Sequence, residues 1–235
     1  ALNEMRLLGF VMTGAAIGAA FIVSPALAEE KDETGWYGTA GIGFLSPNNP
    51  SGDECLIVTG LKSCLDYEYT FDTALSGEIG VGYDFGKFRV ETTYTRSNTS
   101  LSKVSGDVSV GSTEATLTDK VNSGNANFNS FLLNGYIDID TKSKFVPYIG
   151  GGIGYTYVNF PSYTMSALGT SVKSGKGSSG AFGYQAKAGL SYLASEKVDI
   201  FGEAIFSGVT GFAINNVDVG LINSWGARAG LRYRF

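Results

Sequence analysis

The chain has 235 residues, of which only 17% are charged, and its formal net charge at pH 7 is −5. This acidic balance, without any run rich in lysine and arginine, argues against a nucleic-acid-binding surface. The 33 glycines fall mainly inside alternating segments, which indicates a tightly packed or curved β-sheet.

The first 28 residues are organised like a secretory signal peptide. Met5-Arg6 is followed by an apolar stretch at 7–23, and Ala26 and Ala28 form an A-x-A cleavage pattern. Residues 1–4 read as an extension in front of this signal. The alternative is an uncleaved membrane anchor, which the glycines in the apolar stretch disfavour. The sequence therefore predicts a signal peptide at 1–28 and a mature domain at 29–235.

Two cysteines, Cys55 and Cys64, lie in an irregular stretch of this mature domain. In an exported chain, a close pair of cysteines predicts a disulfide. Closing so short a loop would stabilise it by about 2.5 to 3 kcal/mol on the chain-entropy model. A metal site is the weaker alternative, because the chain has no histidine and two thiolates do not complete a zinc shell. We expect no metal site and no cofactor.

Apolar residues alternate with polar or small ones through much of the mature domain, and this period of two predicts β-strands. The seventh segment alternates less well, because Phe201 and Ile205 share a face with Asp199 and Glu203. No apolar run after Val23 is long enough for a membrane helix. The eight predicted strands are 36–45, 71–85, 88–95, 130–139, 145–157, 182–192, 198–207 and 225–235.

The connections between these strands alternate in length. Two to four residues join the second strand to the third, the fourth to the fifth and the sixth to the seventh, whereas long polar segments form the other connections. Short turns at one end and long loops at the other are typical of an outer-membrane barrel. A soluble sandwich, the competing architecture, has little reason to separate them in this way.

Aromatic residues on the apolar faces fall at two levels, spaced as the two interfaces of a membrane would require. Ordinary core packing would explain any one of them, but a pair of aromatic girdles explains them together. At the short-turn end they are Trp36, Phe85, Phe88, Phe145, Tyr192 and Phe235, and at the long-loop end Phe44, Phe71, Tyr94, Phe131, Tyr157, Phe182 and Trp225.

Three segments carry a resemblance to a known family: 146–155, 182–192 and the ending 231–235. With them, nearly the whole mature chain resembles the OmpA-like and opacity-type (porin-family) eight-stranded outer-membrane barrels. The resemblance implies an all-β, antiparallel, up-and-down barrel in the bacterial outer membrane, with four long extracellular loops. It also implies that Leu231, Tyr233 and Phe235 form the signal recognised by the barrel-insertion machinery.

Charged residues of both signs occupy the opposite, inward face of the predicted strands. Buried charges must be paired, and an eight-stranded barrel is just wide enough for its own side chains to fill. We therefore expect an interior network of salt bridges. The alternative is a path for protons or ions, or a gate that opens when pairs exchange. The members are Glu78, Arg89, Glu91, Lys187, Glu203, Arg228 and Arg232.

The composition favours a non-enzymatic role, because the chain has no histidine, which is the usual base of barrel hydrolases. An acid pair such as Asp72 and Glu78 is the remaining catalytic alternative. We expect a structural and surface-interaction protein whose loops lie among lipopolysaccharide sugars or bind a host, phage or cell surface. The rival function is a narrow channel for ions or small solutes. Lateral passage through the wall is a third reading, indicated only by Pro147.

Overall fold

The computed structural model describes residues 34–48, 51–58, 61–110, 113–119, 125–167, 170–174, 176–214 and 217–235. The predicted signal peptide at 1–28 and its extension at 1–4 lie outside the described residues. In the described part of the chain no helix is long and apolar enough to cross a bilayer.

Most of the described residues form strands. In chain order they are β1 (Gly35–Pro47), β2 (Ser51–Val58), β3 (Leu61–Phe71), β4 (Ala74–Asp84), β5 (Phe88–Val110), β6 (Thr113–Asp119), β7 (Asn125–Asp138), β8 (Phe145–Phe160), β9 (Tyr163–Ala167), β10 (Thr170–Ser174), β11 (Gly177–Leu193), β12 (Val198–Val209), β13 (Phe212–Ile214), β14 (Val217–Val219) and β15 (Ile222–Arg234).

Eight of these strands close into an antiparallel barrel. Their order is β1, β4, β5, β7, β8, β11, β12 and β15, and β15 pairs back onto β1. Each strand is antiparallel to both of its neighbours. The predicted eight-stranded up-and-down barrel is confirmed.

The period of two gives the barrel wall two unlike faces. Ile79, Leu133 and Ile153 on the outer face are 57–61% exposed, whereas Glu78 and Arg228 on the inner face are 6% and 4% exposed. An exposed band of large apolar side chains is costly in water and favourable in lipid. The alternation thus places the apolar surface outside and the charged residues in the lumen.

Short turns join the barrel strands at one end, which we call the turn side. The segments are 85–87, 139–144 and 194–197. In the first, Gly86 has a φ of 97°, a conformation that glycine adopts without strain, and its N–H donates to Asp84 Oδ1 at 2.8 Å. The opposite end is called the loop side.

At the loop side the long connections contain further strands. β2 pairs with β3, β9 with β10, and β13 with β14. β5 continues beyond its barrel pairing to contact β3 and β6. The long connections are therefore built largely as β-hairpins, which the sequence pattern did not predict.

The start of the second barrel strand is a correction. We predicted one strand over 71–85 with Phe71 on its outer face, but β4 begins at Ala74 and Phe71 ends β3 beside a register shift. Phe71 is only 7% exposed. The shift turns its ring inward, so its assignment to the outer aromatic girdle is wrong.

Phe71 belongs instead to an apolar cluster at the loop-side mouth of the lumen, here called the mouth cluster. Its ring meets that of Phe160 edge-on at 6.0 Å, and Phe160 contacts Phe212 at 6.1 Å. The inward-facing residues of this cluster are apolar, whereas the inward-facing residues deeper in the barrel include the buried charges. The buried members are Phe71, Ala126, Val158, Phe160, Ala181, Phe212, Val219 and Ile222.

Candidate functional site

The centre of the lumen holds two carboxylates and two cations from four strands, here called the central network. Glu78 Oε1 lies 2.7 Å from Lys187 Nζ and 2.6 Å from Arg228 Nη1. Glu203 Oε1 lies 3.4 Å from Lys187 Nζ and 3.2 Å from Arg228 Nη1. Each acid thus faces both cations, and the formal charges cancel.

Hydroxyl groups fill the remaining hydrogen-bonding positions of these carboxylates. Thr95 Oγ1 donates to Glu78 Oε2 at 2.7 Å, and Tyr148 OH donates to Glu203 Oε2 at 2.8 Å. Lys187 Nζ also donates to Tyr136 OH at 3.2 Å. Buried ions repay their desolvation only when pairing and hydrogen bonding are both supplied, and the central network supplies both.

On the turn side Arg89 is held by a carboxylate and by aromatic rings. Its Nε and Nη2 both donate to Asp138 at 2.9 Å, a bidentate geometry that strengthens such pairs. The guanidinium carbon lies 4.6 Å from the centre of the Tyr136 ring and 5.1 Å from that of Tyr148. The side chain of Arg89 is therefore fixed from several directions.

A second turn-side pair joins β12 to β15. Asp199 Oδ2 accepts from Arg232 Nη1 at 3.2 Å and from Arg234 Nη2 at 2.5 Å. Asp199 is fully buried. Together with Arg89 and Asp138, these residues fill the turn-side half of the lumen with paired charge.

The seven predicted lumen charges thus differ in their surroundings. All of them are buried, and four form the central network. Arg89 and Arg232 pair with aspartates that the sequence reading did not single out. Glu91 accepts from Tyr136 OH at 3.1 Å and from Thr39 Oγ1 at 3.4 Å, and it makes no ion pair with any residue that the structure describes.

The two unpredicted partners did carry a signal in the sequence. Asp138 follows Tyr136 by two positions, so the alternation of β7 places it on the inner face. Asp199 shares a face with Glu203 for the same reason. Both aspartates lie near strand ends, where the stagger between neighbouring strands decides which cation each of them contacts. The sequence alone therefore did not identify their partners.

The predicted aromatic residues other than Phe71 and Tyr94 are exposed on the outer wall, and Tyr94 is half-buried there. Phe85 stacks on Phe88 at 4.6 Å on the turn side, and Phe206 contacts Trp225 at 4.6 Å on the loop side. Leu231, Tyr233 and Phe235, the predicted insertion signal, are 47–74% exposed. The girdle and insertion hypotheses both require this outward orientation, and both stay predictions.

Two smaller predictions concern cysteines and catalysis. The register of β2 and β3 pairs Cys55 with Cys64, but their side chains lie outside the described part of the structure, so the disulfide stays a prediction. Asp72 is exposed, whereas Glu78 is buried in the central network, so the acid pair does not form an accessible site. Among the described residues no group of three or more potential metal ligands occurs.

The lumen contains one cavity on the loop side of the central network and another on its turn side. The loop-side cavity measures about 60 Å³ and is lined by residues that include Leu45, Ile205, Ser207 and Arg228. The turn-side cavity measures about 10 Å³. On this scale a single water needs roughly 10–15 Å³, so the turn-side half is nearly full while the loop-side half has room for several small groups.

A closed barrel with a charged interior and an apolar outer wall defines the class: an integral outer-membrane β-barrel. A family model described as "Surface antigen" matches residues 58–230, and the chain belongs to this family. The protein resides in the bacterial outer membrane, and the resemblance to eight-stranded outer-membrane barrels is confirmed.

Two solved structures with TM-scores above 0.5 share the fold. Neisserial surface protein A (NspA) is 18% identical, with 86% of this chain and 99% of that chain covered and a TM-score of 0.53. Outer membrane protease OmpT from Escherichia coli is 10% identical, with 90% and 100% covered and a TM-score of 0.51. OprG from Pseudomonas aeruginosa is 16% identical, with 86% and 96% covered and a TM-score of 0.44. No curated protein sequence matches the chain.

Proposed function

We propose that this surface antigen is a non-enzymatic barrel whose ion-paired, closed lumen makes a rigid wall and whose loop-side hairpins meet the cell's surroundings. The observation that carries the proposal is the central network, in which Glu78 and Glu203 each face both Lys187 and Arg228 within 3.4 Å. A lumen filled in this way supports a scaffold rather than a wide passage.

The same proposal assigns the partners. Outer-membrane lipid contacts the apolar band, and lipopolysaccharide surrounds the loop-side girdle. The barrel-insertion machinery recognises the exposed Leu231, Tyr233 and Phe235. A host, phage or cell-surface partner contacts the hairpins, and no nucleic acid does. The chain lacks histidine, and its likeness to a protease at 10% identity concerns the fold alone, so we infer no catalytic role.

Trimming the hairpins tests the surface role. Each long connection is replaced in turn by a short turn, for example between Pro47 and Ala74, and cells displaying the trimmed and complete chains are compared for attachment to host cells. The complete chain should confer attachment, and at least one trimmed chain should lose it while the same amount of barrel reaches the surface. Equal attachment by the complete chain and all four trimmed chains would contradict the proposal.

The alternative is a narrow channel, and one observation favours it. Glu78 Oε1 is shared between Lys187 and Arg228, so an exchange of partners would need only small movements. A channel predicts that proteoliposomes containing the protein swell in isosmotic solutions of small sugars or amino acids. The closed scaffold predicts no swelling above that of protein-free liposomes.

A further inference from the structure

The outer wall of the barrel carries one charged residue among the outward-facing positions that the structure describes in the eight paired strands. This residue is Arg96 on β5, which is exposed between the buried, lumen-facing Thr95 and Ser97. Arg96 makes no ion pair with any described residue. A charge on a wall that faces lipid is costly, so an anion from the surroundings would stabilise Arg96.

The height of Arg96 on the wall corresponds to the level of lipid headgroups. Phe88, a member of the predicted turn-side girdle, begins β5, and Arg96 follows it eight positions later. At about 3.3 Å per residue and a strand tilt of about 40°, the two residues are separated by roughly 20 Å along the barrel axis. The apolar band of such barrels is about 25 Å tall. Arg96 therefore lies near the loop-side edge of this band, where the phosphate groups of lipids begin.

A side-chain amide adds neutral donors beside this cation. Asn129 on β7 is the register partner of Arg96, and the Cβ atoms of such partners lie about 5 Å apart. The Oδ1 of Asn129 accepts from Tyr94 OH at 2.9 Å, so its amide nitrogen is left to donate, and no residue in the described part of the chain accepts from it. The Tyr94 ring contacts that of Phe131 at 4.8 Å, which fixes the hydroxyl in this position.

The wall on the other side of Arg96 is open. Its register partner on β4 is Gly77, where a Cβ would meet nothing within 4 Å. One step further toward the loop side, the register partners Asn98 and Asn127 are neutral and polar. None of the outward-facing barrel residues that the structure describes is acidic. A cationic ligand therefore finds no counter-charge on this part of the wall, whereas an anion has both a charged partner and space.

From this arrangement we infer that Arg96 and Asn129 bind a phosphate group of a membrane lipid at the loop-side edge of the apolar band. A guanidinium presents two parallel N–H donors to phosphate oxygens, and the amide of Asn129 adds a further donor. The acyl chains of the same lipid would lie along the apolar wall below. The inference deepens the proposed contact with lipopolysaccharide, and it rests on that proposal only for the leaflet that the loop side faces.

Native mass spectrometry of the complete protein in dodecyl maltoside tests the inference, with bisphosphorylated lipid A, its dephosphorylated form and phosphatidylglycerol as probes. The wild-type chain should retain lipid A, and Arg96→Gln should bind it at least tenfold more weakly. Lys87→Gln removes an exposed cation at the turn side, so it is the matched control and should bind lipid A as tightly as the wild type. The dephosphorylated form should bind the wild type and Arg96→Gln equally weakly.

The phospholipid probe identifies the source of the phosphate. Tighter binding of lipid A than of phosphatidylglycerol would support the site and assign it to lipid A, and equal, Arg96-dependent binding of both would support a site for any lipid phosphate. Equal retention of lipid A by the wild type and Arg96→Gln, or undiminished binding of the dephosphorylated form, would overturn the inference. Because this assay measures lipid binding alone, its result is independent of whether the hairpins confer attachment.

Discussion

The two halves of the lumen are built from the same eight strands but are filled in opposite ways. On the turn side, Arg89, Asp138, Asp199 and Arg232 pair and leave a cavity of only about 10 Å³. On the loop side, hydroxyl and apolar residues leave about 60 Å³. The difference indicates that stability depends on the charged half and the centre, whereas the loop-side half tolerates change.

The largest expected effect comes from the central network. Glu78→Ala removes a carboxylate shared by Lys187 and Arg228, and it leaves two buried cations with only Glu203. Removing one member of a buried pair costs about 3 to 5 kcal/mol. Urea unfolding in lipid vesicles should show this loss, while Glu196→Ala in an exposed turn should change the free energy of unfolding little. Equal stability of the two variants would contradict the role given to the network.

A smaller effect is expected where two strands approach closely. A Cβ on Gly43 would collide with the backbone carbonyl of Ala227, whereas one on Gly77 would meet nothing within 4 Å. Gly43→Ala should therefore cost about 1 to 3 kcal/mol through overpacking. Gly77→Ala is the matched control on the lipid-facing wall and should be close to neutral. The comparison would fail if both variants unfolded at the same urea concentration.

A hydroxyl at the boundary between the halves should matter less. Thr95 donates to Glu78 at 2.7 Å, but Glu78 keeps both cations when that hydroxyl is lost. Thr95→Val should cost about 1.5 to 2 kcal/mol, because the lost hydrogen bond is to a charged group, and Thr92→Val on the exposed outer face should cost nothing measurable. A loss as large as that of Glu78→Ala would show that the loop-side half is as critical as the centre.

The predicted disulfide should have the smallest effect on the barrel. Cys55 and Cys64 are register partners in β2 and β3, which lie outside the ring of eight strands. Peptide mapping without reductant should recover the linked pair, and reduction should leave the unfolding of the barrel unchanged while making this hairpin more sensitive to protease. Two thiols that alkylate before reduction would refute the pairing.

The strand pattern was predictable because each barrel strand alternates between lipid and lumen with a strict period of two. Even the poorly alternating β12 follows this rule, since Phe201 and Ile205 lie inside with Asp199 and Glu203. The orientation of Phe71 was not predictable, because a register shift between β3 and β5 breaks the period there. The pairing of Arg232 with Asp199 also depends on strand stagger, which no single segment encodes.

The central claim is that paired charges close the lumen, and single-channel recording in planar bilayers tests it most directly. The purified wild-type chain should give no stable conductance steps, and Glu78→Ala, if it inserts, should give more frequent openings because Lys187 and Arg228 lose a shared partner. Reproducible steps from the wild-type chain at the same membrane potential would contradict the closed scaffold and establish the channel.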